Sequence, residues 1–219
     1  MKSPATSSHS QSLTLGTREK SKVIWREIMR LYERDMVAST AILARRFVAD
    51  HPKDAIAWLI YGVSLAQMSR YTEASSALRR AARLVPPTKL PLVYYHFGQL
   101  NERKGAVRLV EPWYRRAIRS CPSDASYRIM LGRVLHRAGR LQDAEAVLRR
   151  AARCKEGFRE EALLHLGYSL VGLERYREAQ RCVRQALDID PKYKEAQRTL
   201  SDIEYVIEHI NISPMKGAK

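Results

Sequence analysis

Residues 58–86 read WLIYGVSLAQMSRYTEASSALRRAARLVP, and the spacing of small and large apolar residues in this stretch decides the fold. Trp58, Tyr61, Gly62 and Leu65 come first, then Ala74, Leu78 and Ala81, with Pro86 closing the segment. Ala74, Leu78 and Ala81 are separated by four and then three residues, so they share one face of a helix. Gly62 and Ala74 are small residues twelve positions apart, and small residues there let two antiparallel helices approach closely.

The pattern recurs. Tyr94, Phe97 and Gly98 are followed by Val110, Tyr114, Ala117 and Pro122, with Val110 in place of the small residue. Leu131, Gly132 and Leu135 lead to Ala144, Leu148 and Ala151, and a Lys155-Glu156-Gly157 turn replaces the proline. Leu163, Leu166, Gly167 and Leu170 lead to Ala179, Val183, Ala186 and Pro191. From Gly62 to Gly98, Gly132 and Gly167 the periods are 36, 34 and 35 residues. These residues resemble the 34-residue signature of the tetratricopeptide repeat family, Trp-x2-Leu-Gly-x2-Tyr, Ala-x3-Phe, Pro.

The resemblance implies an all-α fold, a right-handed superhelical solenoid of antiparallel helix pairs. Each pair must stack on its neighbours to bury its apolar face. The repeats are expected at 55–88, 91–124, 125–158 and 160–193. A degenerate unit is expected at 21–54, where Pro52 precedes Pro86 by 34 residues, the glycine is missing and Phe47 replaces an alanine. Leu200, Ile203, Val206, Ile207 and Ile210 point to a capping helix over 192–210, which completes a single domain over 19–210. The Ser- and Thr-rich residues 1–18 and the basic residues 211–219 are expected to be loose tails.

Composition fits. The chain has 219 residues, 45% of them apolar, and a formal charge of +16. It contains no apolar run of membrane-spanning length and no secretory leader, so a cytoplasmic protein is expected. Import into mitochondria stays open, because no acid precedes Glu19, although Lys2 and Arg18 are the only bases in the first 18 residues. Cys121, Cys154 and Cys182 are odd in number and far apart, which suits a reducing compartment and small buried or turn-side hydrophobes better than a zinc site. The histidines form no metal-binding pair, and phosphate loops and nucleophile elbows are absent. No catalytic residue, metal or cofactor is therefore expected, and the chain reads as a non-catalytic adaptor or scaffold.

Two surfaces can carry binding. The groove face of each first helix is expected to present Ile56, Leu59, Ile60 and Val63, then Leu92, Tyr95, His96, Gln99 and Arg103. Ile129, Met130, Arg133, His136 and Arg137 follow, then Leu164, His165 and Tyr168. This face begins apolar and becomes aromatic and cationic, suiting a protein or peptide partner with acidic groups held by Arg133 and Arg137. Family members that clamp the acidic C-termini of heat-shock chaperones use Lys, Asn and Arg where this chain has Leu59, Val63, His96, Ser126 and Met130. The resemblance therefore does not extend to that clamp.

The opposite surface repeats Arg-Arg-Ala-x-Arg: Arg79, Arg80 and Arg83; Arg115, Arg116 and Arg119; Arg149, Arg150 and Arg153. Stacked repeats would align these nine into a ridge facing a polyanion such as nucleic acid, bound without sequence preference. Glu73, Glu111 and Glu145 lie close enough in sequence to pair with some of them.

Overall fold

The computed structural model describes residues 7–212. Eleven α-helices account for nearly all of them: α1 (Ser7–Glu33), α2 (Val37–Asp50), α3 (Ala55–Gln67), α4 (Tyr71–Leu84), α5 (Leu90–Arg103) and α6 (Val107–Ser120), then α7 (Ala125–Arg137), α8 (Leu141–Ala151), α9 (Arg159–Gly172), α10 (Tyr176–Ile189) and α11 (Lys194–Ile212). Among the described residues there is no strand, and no helix is long and apolar enough to cross a membrane. The helix α1 begins inside the stretch 1–18 expected to be a loose tail, while residues 1–6 and 213–219 lie outside the described residues. Packing groups the chain into two compact units, 1–107 and 108–219, which divide at the start of α6.

In the first unit α2 packs on α1 and α3, and α3 on α4 and α5; in the second, α9 packs on α7, α8 and α10, and α10 on α11. The glycines set these contacts. A Cβ on Gly62 would stand 3.0 Å from the Leu78 side chain, one on Gly132 2.5 Å from Leu148, and one on Gly167 2.7 Å from Val183. Each glycine thus admits the branched residue sixteen positions on, at the centre of the stripe read from sequence. The first pair inverts this arrangement. Ile28 stands at the glycine position and Ala44 at the leucine position, and both are fully buried in one cluster with Phe47, Val48, Ala57 and Ile60. Exchanging large and small across the contact conserves its volume, the kind of core change that costs least.

The turn after each first helix is also repeated. Asp35, Ser69, Gly105, Gly139 and Glu174 all have positive φ, between 54° and 73°, seven residues after Ile28, Gly62, Gly98, Gly132 and Gly167 respectively. Two of the five are glycine, the residue this left-handed conformation favours. Asp54 caps α3 by accepting from the amides of Ile56 and Ala57 at 3.0 and 2.9 Å, and Asp124 caps α7 by accepting from Ser126 at 2.8 Å. Each such cap is worth about 1 kcal/mol.

Candidate functional site

Two clefts gather most of the groove residues expected from sequence. In the first unit Tyr32, Val63, Gln67, Tyr95, His96, Gln99 and Arg103 line a cleft of about 420 Å³. In the second, Arg133, His136, Arg137, His165 and Tyr168 line one of about 190 Å³. The first is lined from α1, α3, α4 and α5, the second from α7, α8 and α9.

The first cleft is neutral. Gln99 Nε2 donates to the Tyr95 hydroxyl at 2.9 Å, and His96 Nδ1 lies 2.9 Å from Gln99 Oε1. With Gln99 Nε2 committed to Tyr95, its Oε1 accepts from a protonated His96 Nδ1, which leaves His96 Nε2 as an acceptor. Burial pushes the imidazole down to about 4, and the bond to Gln99 offsets only part of this. His96 is therefore uncharged at neutral pH.

The second cleft is cationic. Arg133 Nη1 lies 3.6 Å from Met130 Sδ, which holds the guanidinium near the helix surface, and Arg137 is exposed one turn further on. His136 Nδ1 lies 3.4 Å from the Ser169 hydroxyl, and burial together with the charge of His165 lowers its pKa. His165 pairs with Glu161 at 3.6 Å. The Tyr168 hydroxyl donates to Glu195 at 2.8 Å and lies 3.2 Å from Thr199 Oγ1, fixing the ring at the edge of the cleft.

Four residues of the expected groove face are corrected. Leu59 is only 5% exposed and belongs to the core, as do Ile60, Ile129 and Leu164 from the same expected face. The helices bearing them are packed on two or three sides, which narrows the open face to a single stripe. Sequence reasoning missed Tyr32 and Gln67. Gln67 was findable, since it stands five residues after its glycine, as Arg103 and Arg137 do.

The nine arginines separate into paired and unpaired ones. Arg115 pairs with Glu111 at 2.7 Å, and Arg149 with Glu145 at 2.7 Å and Glu178 at 3.4 Å. Glu73 pairs instead with Arg70. Arg140 reaches back to Glu111, and Arg175 to Glu145, both at 2.7 Å. Burial alone would raise the Glu111 carboxyl, but hydrogen bonds from Arg115 and Arg140 outweigh it and hold the group below the usual range. Arg80 Nη2 lies 3.4 Å from the Pro52 carbonyl, and Arg116 sits 4.7 Å from the Trp113 ring centre. Arg79, Arg83, Arg119, Arg150 and Arg153 are exposed without an ion pair among the described residues, and Arg153 lies beyond the end of α8.

Comparison with known proteins places this geometry. Tetratricopeptide repeat models match residues 40–87 and 98–157, and a second such model matches 160–193. No curated protein matches the sequence. Among solved structures, YrrB, described as a TPR protein with an unusual peptide-binding site, superposes with a TM-score of 0.56 at 16% identity, over 88% of this chain and 97% of its own. A chain of the APC/C hetero-tetramer Cut9-Hcn1 gives 0.68 at 18% identity over 91% of this chain, which spans 39% of the chain matched. MamA from Desulfovibrio magneticus RS-1 gives 0.61 at 16% identity, over 80% and 97%. At these identities the likeness is one of fold. With family models matching well over half of its residues, the chain belongs to the tetratricopeptide repeat family.

Proposed function

We propose that this protein is a non-catalytic interaction adaptor that holds an extended, acidic segment of a partner protein in the groove of its second unit. The observation that carries the reading is the convergence of Arg133, Arg137, His136 and His165 on one open cleft beside Tyr168. Arginine forks are suited to paired recognition of carboxylates, and a fixed tyrosine offers flat contact area at little entropic cost. The peptide-binding site attributed to YrrB agrees with such a use of the fold.

The test is affinity purification of the tagged protein from its native lysate, with and without nuclease. A nuclease-resistant partner lost on R133E/R137E supports the reading. A partner that survives the double reversal overturns it.

A second reading, docking on a polyanion, is favoured by Arg119, Arg150 and Arg153, which are exposed and form no ion pair among the described residues. It requires the recovered material to be nuclease-sensitive and salt-labile. It also requires R119E/R150E/R153E to abolish recovery while R133E/R137E does not.

A further inference from the structure

Beyond Tyr168 the second unit holds another cleft, of about 370 Å³, between α9, α10 and α11. Its floor is Val171, Ile203 and Val206, and the rings of Tyr168 and Tyr176 line it. Glu195, Arg198, Thr199 and Asp202 of α11 complete it. These four stand one repeat beyond α9 at the positions that Leu92, Tyr95, His96 and Gln99 hold in the cleft of the first unit. The helix α11 therefore acts as the first helix of a further repeat as well as a cap, and it adds one more step to the groove.

The charge of this step is opposite to that of its neighbour. Glu195 and Asp202 are exposed at its edge, and Arg198, between them on α11, forms no ion pair with either among the described residues. These carboxylates act on the phenols nearby. Burial, with the carboxylates of Glu195, Glu161 and Glu160, pushes Tyr193 up to about 12. Tyr168 is raised by burial and by the charges of Glu195 and Asp202. Tyr168 lines both clefts, so one continuous surface is cationic on one side of its ring and acidic on the other.

We propose that this cleft takes a lysine or arginine side chain from the same partner segment whose acidic groups meet Arg133 and Arg137, an assignment that rests on the adaptor reading above. The aliphatic stem covers Val171, Ile203 and Val206, the rings of Tyr168 and Tyr176 flank it, and the cation meets Glu195 and Asp202. First helices of successive repeats pack roughly 9–10 Å apart, so α7 and α11 are separated by about 18–20 Å. An extended chain covers that distance in about five or six residues. The recognised segment is thus dipolar, with an acidic group and a basic residue about one such interval apart.

The test pans a phage-displayed library of random 16-residue peptides on the full chain, then measures an enriched synthetic peptide by fluorescence anisotropy. Enriched peptides should carry acidic residues with a lysine or arginine five or six positions away. Replacing that basic residue by glutamine should weaken binding about tenfold on the wild type and leave E195Q/D202N unaffected. Acidic peptides without a basic position, or an equal loss on E195Q/D202N, overturn the assignment and leave the adaptor reading intact. Failure to enrich any peptide, or enrichment indifferent to R133E/R137E, removes the groove reading and this assignment with it. Self-association of the wild type that E195Q/D202N abolishes gives the cleft to a second copy of the chain and also overturns it.

Discussion

The cleft of the first unit and that of the second are built from the same repeat positions with different side chains. Directly after the glycine stand Val63 and Gln99 in the first unit, Arg133 and Tyr168 in the second. Two residues before it, the neutral His96 of the first unit faces Gln99, whereas His165 Nε2 of the second lies 3.6 Å from a carboxylate oxygen of Glu161. The packing positions of α3, α7 and α9 show no such divergence, since Leu78, Leu148 and Val183 all fill the space that a glycine leaves. Binding character in this chain is therefore written in residues the fold does not use, which is why family membership leaves the partner open.

The units also differ in how charge supports them. In the first, Lys22–Glu19, Arg30–Glu27 and Arg70–Glu73 each join residues within one helical turn. In the second, Arg140–Glu111, Arg175–Glu145 and Arg149–Glu178 run from one repeat to the next, and Glu145 is only 7% exposed. Removing one member of a largely buried ion pair leaves the other charge without compensation.

Acid gives the largest expected separation between the units. His96 titrates near 4 when folded and near 6.5 when unfolded, so the unfolded chain binds the extra proton first. Its contribution is present above about pH 6.5 and is lost as pH falls toward 4, by roughly 2–3 kcal/mol. Urea unfolding of wild type and H96Q should show stabilities that converge by this amount between pH 7 and pH 4.5. Parallel curves would mean the first cleft is as tolerant of charge as the second.

Next comes the acid that links repeats. Glu145→Ala should cost about 2 kcal/mol, discounted from the fully buried case because Arg149 and Arg175 reach solvent. Ser75 holds the matching position of the first unit, and Ser75→Ala should change stability by less than about 0.5 kcal/mol. Chemical denaturation of the two variants checks this contrast, and equal losses would erase it.

The smallest effect should be common to both units. Ser69 and Glu174 have φ of 60° and 59° at the same turn. Glycine at either relieves the left-handed strain, partly offset by the entropy it adds to the unfolded chain. A gain of about 0.5 kcal/mol is expected for Ser69→Gly and Glu174→Gly alike, read as a shift in thermal midpoint. A difference in sign would show that the shared turn is not equivalent in the two halves.

Much of this was legible in the sequence because small residues are informative about close approach. The phase of Gly62, Gly132 and Gly167 located the helix pairs, and the pairing of Glu111 and Glu145 with ridge arginines was foreseen. Leu59 was misplaced because a helix enclosed on several sides exposes less of its face than one lying on a flat core. The links from Arg140 and Arg175 to the preceding repeat escaped notice because neither arginine belongs to the repeated Arg-Arg-Ala motif. Their partners lie 29 and 30 residues away in sequence, so only the stacking of second helices joins them.

Those links have a direction, with the carboxylate on one repeat and the guanidinium on the next. A whole repeat inserted between α8 and α9 would find a donor and an acceptor waiting at its two seams, and a change of one residue in the span is absorbed, since Arg140 stands 29 residues after Glu111 and Arg175 30 after Glu145. The ladder thus gives the stack a polarity, acid before arginine, that any added repeat would carry forward.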